Sequence, residues 1–245
     1  MPVRLVGKPR EPSVAGMLIL SGLVGLVLVS RLDAIGVIIA LSGLALNFLT
    51  FDATMDSLRA RRARRWLLLV ALNSAPYIAG LAYWGARVLA PVLAGLLVLS
   101  IHLLLVARLG WRSPATYIYG ASIPVLPALL VPTLASGAAP GRVWIAWLLL
   151  SLYAVTTAAY VETRLAYRRM DPRAPLATWL PSLALVPLCP ALSIAMIEPW
   201  LKVSLNLRGR RLVGDPQGIR RLGWIELSRL FLFAFLVALL ASLYC

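Results

Sequence analysis

Acid, histidine and cysteine are scarce in this chain, and each scarcity removes a class of chemistry. Nine Asp and Glu stand against 24 Lys and Arg, and charged residues of both signs make up only 13% of 245 positions. A soluble domain carries roughly 25%, so there is too little charge here to cover a surface facing water. The one histidine, His102, has no acidic or cysteine companion at metal-ligand spacing, and a hydrogen-bonded interior histidine is expected instead. The two cysteines, Cys189 in an apolar stretch and Cys245 at the last position, exclude a disulfide framework and a cysteine-based metal site. P-loop, HExxH, GxSxG and paired CxxC patterns are all missing, which removes the common nucleotide-binding, zinc-protease and serine-hydrolase readings.

What is abundant is apolar. Hydrophobic residues make up 61% and the mean hydropathy is +0.87, against ~45–50% apolar in ordinary domains. A core of this size cannot hide that much apolar surface, so lipid must cover the rest. Charges punctuate the chain into candidate spans at 12–30, 34–51, 66–86, 88–107, 113–136, 143–161, 174–197 and 225–244. Each is near the ~20 residues a helix needs to cross ~30 Å of hydrocarbon. Spanning backbone must satisfy its own hydrogen bonds, so the expected fold is an all-α transmembrane bundle of about seven to nine helices in a single membrane domain, 1–245. The basic N-terminal stretch has the look of a signal peptide, but the run after it is long and lacks an A-x-A site, and reads as an uncleaved first span. Trp66, Trp84, Trp111, Trp144, Trp200 and Trp224 stand near span edges, as an interfacial belt would.

Orientation follows from the basic residues. The N-terminal stretch carries three, the 2–3 loop five, the 4–5 loop two and the 6–7 loop four, against one in each of the 1–2, 3–4 and 5–6 loops. By the positive-inside rule the chain is a multi-pass cell-membrane protein with its N-terminus and main basic loops cytoplasmic. The 198–221 stretch breaks the pattern, since simple alternation puts Lys202, Arg208, Arg210, Arg211, Arg220 and Arg221 outside. Segment seven contains Pro181, Pro187 and Pro190, with Pro199 following. A broken, re-entrant hairpin there would return the basic stretch to the cytoplasm and bring eight of the nine acids with it, Asp33 being the exception. The alternative is that the rule fails at this loop.

Three clusters could carry chemistry. At the end of span two, Asn47, Asp52 and Asp56 precede an arginine run. Asp52 and Asp56 are four apart, and on a continuing helix they share one face. Two such carboxylates can hold Mg²⁺ with phosphates completing its octahedron, while Arg59, Arg61 and Arg62 clamp the phosphates. The plain alternative is an interfacial anchor with local ion pairs. At the end of span six stand Tyr160, Glu162, Arg164, Tyr167, Arg168, Arg169 and Asp171, where Glu162 is either a metal-binding carboxylate or one half of an ion pair with a nearby arginine. Glu198, Glu226 and Arg229 form the third set. Glu226 and Arg229, three apart, are expected to enter the membrane edge as a pair or to line a polar cleft.

Two resemblances attach to these residues. The stretch YAVTTAAYVETRLAYRRM, followed by a proline-broken segment and GIRRLGWIELSRLFLFAFL, resembles the YwiC-like family of bacterial and archaeal membrane proteins through Tyr160, Val161, Thr163, Arg164, Gly223 and Glu226. The family's N-terminal His-Gly motif is replaced by Pro9, Arg10 and Glu11. More distantly, the chain is similar to UbiA-type prenyltransferases, which place Asp-rich motifs after their second and sixth helices and bind an isoprenyl diphosphate there through Mg²⁺. Asp52, Asp56, Glu162 and Asp171 occupy those two loops, and ETRLAY is similar to the start of the second motif. That resemblance implies a polar cytoplasmic cleft that binds or transfers an isoprenoid or lipid diphosphate. Asp52, Asp56 and Glu162 would then hold Mg²⁺, and Asn47, Arg59, Arg61, Tyr160, Arg164, Arg168 and Glu226 would meet the substrate. The rival from the residues themselves is a non-enzymatic transporter, or a membrane subunit of a transport or assembly complex, gated by segment seven. A third reading is a scaffold whose basic loops contact anionic lipid. Membrane lipids are the expected partners and no specific nucleic acid is expected.

Overall fold

Hydrocarbon offers the backbone no hydrogen bonds, and the described chain answers with helices throughout. A computed structural model describes residues 12–60, 62–168, 170–209 and 212–245. In order these form α1 (Pro12–Val27), α2 (Ala34–Arg59), α3 (Ala63–Trp84), α4 (Leu89–Leu109), α5 (Pro114–Gly120), α6 (Pro127–Ser136), α7 (Gly141–Arg164), α8 (Ala174–Trp179), α9 (Ser193–Arg208) and α10 (Pro216–Tyr244). Among the described residues five helical segments are long and apolar enough to cross a membrane. The longest of them, Arg64–Leu109, holds two passes, because the chain turns at Gly85 (φ 64°) between α3 and α4. This is an all-α bundle of the multi-pass membrane type.

Local chemistry sets the ends. Asp33 caps α2, its carboxylate accepting the Gly36 amide at 2.8 Å. Asp215 caps α10, accepting from Gly218 at 2.6 Å, with Pro216 at the first helical position where its missing N–H costs nothing. The α5–α6 segment is the pillar of the bundle: it is 83% buried, against 22% for α2 and 33% for α10. Two outer helices approach it through glycine. A Cβ at Gly25 of α1 would lie 2.5 Å from the Ala128 carbonyl, and one at Gly36 of α2 would lie 2.6 Å from that of Leu134. Close backbone approach of this kind replaces the hydrophobic drive that lipid cannot supply.

The bundle has two ends. At one, the Asp33 amide donates to Ala135 O at 2.9 Å, Trp84 Nε1 to Leu134 O at 2.8 Å and Arg142 Nε to Leu28 O at 2.6 Å. The other is the basic end, where Arg62, Arg64, Arg65, Arg108, Arg112, Arg164, Arg168, Arg173 and Arg208 sit at helix termini and turns.

Segment seven does return. From α8 the chain enters a 3₁₀ stretch, Leu180–Leu188, then Cys189 at φ −155°, a further turn Pro190–Leu192, and α9 running back. Pro181, Pro187 and Pro190 remove the N–H groups that a continuous α-helix would use, so the crossing becomes two antiparallel limbs. At ~1.5 Å per α residue and ~2.0 Å per 3₁₀ residue, the limbs are roughly 27 and 24 Å long, enough for the tip to reach the far end. The basic end closes by backbone pairing of Leu165 with Val213: Val213 N donates to Arg164 O at 2.7 Å, and Ala166 N to Val213 O at 3.0 Å. Asn206 Nδ2 also donates to Pro172 O at 3.1 Å.

Three expectations need correction. The span expected at 174–197 is a hairpin covering 174–208, and Glu198 to Arg208 belong to α9 rather than to a loop. Glu198 therefore stands at mid-depth instead of at the basic end with the other acids. The two cysteines, read in sequence as excluding a disulfide framework, are joined as a single disulfide, Cys189–Cys245, with Cα atoms 5.6 Å apart. The hairpin tip and the end of α10 meet, which spacing in the sequence does not announce.

The hairpin has a direct consequence for accessibility. In a Cys189→Ser/Cys245→Ser background, single cysteines at the exposed positions Tyr167 and Leu212 are expected to react with a membrane-impermeant maleimide from the same side of sealed vesicles. One at the exposed Leu32 is expected to react from the other side. Labelling of 167 and 212 from opposite sides would remove the hairpin.

Candidate functional site

Four ionised side chains stand on α9 and α10 and face α7. Lys202 Nζ lies 2.9 Å from Glu226 Oε2, with 1% and 5% of the two side chains exposed. Arg229 Nη1 donates to Glu226 Oε1 at 2.7 Å, and Arg229 Nε lies 3.5 Å from Glu198 Oε1. Tyr153 of α7 donates to Glu198 Oε2 at 3.3 Å. Lys202 also donates to Thr157 Oγ1 at 2.9 Å and sits 4.5 Å and 5.4 Å from the ring centroids of Tyr153 and Tyr160. Two acids and two bases make the quartet neutral, the condition under which charge can remain in low dielectric.

Helix geometry gives the depth. Lys202 is six residues from the end of α9, about 9 Å inside the basic end, whereas Glu198 and Tyr153 are about 15–16 Å inside. On α9 the quartet thus lies about 9 to 15 Å inside the basic end. One pair is partly exposed: Arg229 and Glu198 side chains are 39% and 32% exposed. The floor is aromatic, with Tyr153 stacked on Phe233 at 4.1 Å and Trp179 edge-on to both rings. Around Trp179 Nε1, Ser182 Oγ and Thr156 Oγ1, all fully buried, there is no hydrogen-bond partner among the described residues.

Nearer the basic end, Glu162 is buried and pairs with Arg168 at 3.2 Å, the ion-pair form of the sequence reading. Arg168 Nη1 reaches Arg112 O at 3.5 Å. Arg164 lies over the Tyr160 ring at 4.9 Å, and Thr163 and Asn206 face each other in hydrogen-bonding range. The expected residues Tyr160, Glu162, Arg164, Arg168 and Glu226 are therefore gathered in the α7–α10 half, and Glu226–Arg229 is the expected pair.

The other expected residues lie elsewhere. Asn47 donates to the Tyr77 hydroxyl across α2 and α3, beside the Thr50–Asn73 contact, a polar seam between two helices. Asp52 and Asp56 are half-buried near the end of α2. The Arg59 side chain and all of Arg61 lie outside the described residues, as does Arg169. α2 packs on α3, α6 and α1 and shares no extended face with α7. Among the described residues no group of three His, Cys, Asp or Glu is placed to hold a metal ion. His102 is buried against Trp111 and Tyr119, with Nδ1 lacking a hydrogen-bond partner among the described residues. It is interior as expected, held by rings rather than by a bond at that nitrogen.

Sequence reasoning passed over Lys202, Tyr153 and Thr157. The signal was present: Glu198 and Lys202 are four apart, a helix spacing inside what was read as a loop.

No family model, curated protein or solved structure matches the chain.

The pairing should appear in a double-mutant cycle. Lys202→Met strands Glu226 beside a single partner and is expected to destabilise the bundle by about 3–5 kcal/mol. Lys202→Met/Glu226→Met removes one charge of each sign and leaves Glu198–Arg229, so most of that loss should return. Thermal unfolding in detergent measures it, and purely additive losses would show that the two side chains are not coupled.

Proposed function

We propose that the chain is a membrane transport protein, or the transport subunit of a larger assembly, in which proton movement is linked to motion of the 174–208 hairpin. The observation that carries this reading is the neutral quartet Glu198–Arg229–Glu226–Lys202 on the hairpin and α10, reaching about 15 Å inside the basic end on α9. Ionisable groups at that depth are expensive, and proton and substrate pathways are where they recur. The device works by charge balance. Glu198 is the partly exposed acid, faced by Tyr153 from α7, Arg229 from α10 and Lys202 on its own helix. A proton on Glu198 turns the quartet from neutral to net positive and leaves Arg229 and Lys202 sharing the single carboxylate of Glu226. Their mutual repulsion then loosens α9 from α10, and the proline-broken limb supplies a hinge. The arginines of the basic end, on the cytoplasmic side under this reading, draw anionic solutes or headgroups toward it.

Reconstitution tests the reading. Liposomes loaded with a pH-sensitive dye and holding the full chain are driven by a potassium diffusion potential. Proton entry above the empty-liposome rate is expected for the wild type and is expected to disappear in Glu198→Gln. A wild-type rate equal to that of empty liposomes would overturn proton linkage.

A second reading rests on Asp52 and Asp56, half-buried, four apart and near the basic end: a Mg²⁺-dependent site for an isoprenyl diphosphate. It predicts that geranylgeranyl diphosphate binds in Mg²⁺ and not in chelator, and that Asp52→Asn abolishes this binding. Absence of Mg²⁺-dependent binding in the wild type removes it.

A further inference from the structure

The hairpin is held at three levels. At the basic end it is tied by the Leu165–Val213 pairing and by Asn206 to Pro172. At mid-depth it is tied by the two ion pairs to α10. At the tip it is tied covalently, Cys189 to Cys245. The first two levels are built from groups that can exchange partners in place, whereas the third either exists or does not. Between tip and quartet, Leu192 and Met196 of the hairpin and Val237 and Ala241 of α10 join the same apolar core. Among the described residues on these elements there is no charged side chain between the quartet and the tip. Packing alone would have to keep this stretch closed if the bridge opened.

We infer that the Cys189–Cys245 bridge is a thiol–disulfide latch, set on the face away from the arginine-rich end, that holds the hairpin tip against α10 and so keeps the charged quartet closed. Two rules of different origin agree on its side. The arginines assign the opposite end to the cytoplasm, and a disulfide persists where the medium is oxidising rather than in the reducing cytosol. Exposure orders the chemistry. Cys245 is exposed and Cys189 is 1% exposed, so Cys245 meets the reagent first. Its thiolate attacks a disulfide-bearing oxidant, expelling one thiol of that oxidant and forming a mixed disulfide. The Cys189 thiolate then displaces the second thiol. Two protein thiols become one disulfide, one oxidant disulfide becomes two thiols, and each protein thiolate's proton ends on an oxidant sulfur. Reduction runs the same exchange backwards. The latch does not depend on protons being the transported species.

The full chain in sealed proteoliposomes, prepared without reductant, carries the test. A peptide joining Cys189 to Cys245 is expected in non-reducing mass spectrometry. An impermeant phosphine should open it only from the side that labels a cysteine at Leu32. Amide hydrogen exchange across 189–200 should then rise by about tenfold or more, while α1 to α6 stay unchanged. Cys245→Ser should give the same exchange pattern without reductant. Wild-type reduction keeps the test decisive if that variant folds poorly. Free thiols in the unreduced protein, reduction only from the arginine-rich side, or unchanged exchange after reduction would each overturn the latch. Loss of proton flux with the latch intact would bear on the transport reading alone.

Discussion

Inside a bilayer a polar group has only the protein to bond with, and this one constraint accounts for both the fold and its exceptions. It makes every long element a helix. It also makes each departure from helix expensive unless buried, and the main departures are buried or self-contained. The 3₁₀ turn at Ile123–Val125 lies within the α5–α6 pillar. The 3₁₀ stretch Leu180–Leu188 packs on α7, with Ser182 and Leu185 turned inward. Prolines reduce the number of donors that need partners there, so the same residues that forbid a continuous helix ease the cost of its interruption.

The constraint acts on charge as it does on backbone. Lys202 has Glu226, Thr157 and two tyrosine faces around it, so its buried ammonium group is fully partnered. Glu198 and Arg229 are less covered, which divides the quartet into a buried pair, Lys202–Glu226, and a partly exposed pair, Glu198–Arg229. The α2–α3 seam shows the contrast. Asn47, Thr50, Asn73 and Tyr77 also bond across helices, yet all are neutral, and such contacts hold helices together without requiring a function.

Much of this was legible in sequence because lipid imposes simple rules. Length and hydropathy located most helices to within a few residues. Counting arginines exposed the conflict at 198–221, and the prolines of segment seven resolved it toward a hairpin. Glu226–Arg229 and Glu162 with an arginine followed from helix spacing and from the cost of a free charge. What was hidden depended on folding back. α9 reads as a loop in the sequence because its first residues belong to an apolar run and its second half is basic, so Lys202 looks like a surface charge. The cysteine pair is 56 positions apart and becomes a pair only when the hairpin tip reaches the end of α10. Asp52 and Glu162 stand on α2 and α7, two helices without an extended packing contact, so their relation does not follow from loop position.

The distribution of ties along the hairpin then gives the molecule its asymmetry. The half built on α1 to α6 is locked by glycine-mediated contact of backbones, which has no intermediate states: a helix either fits its neighbour's groove or is displaced from it. The half built on α7 to α10 is closed by charges and one covalent bond, each of which has two chemical states. Under the proposed function protonation changes the first, and under the proposed latch thiol exchange changes the second. The quartet stands on α9 and α10, whereas the acids of the other half, Asp52 and Asp56, are half-buried near the end of α2. The α5–α6 pillar packs on α1 and α2 and also on α7, and α1 packs directly on α10, so the two halves are joined through the pillar and beside it.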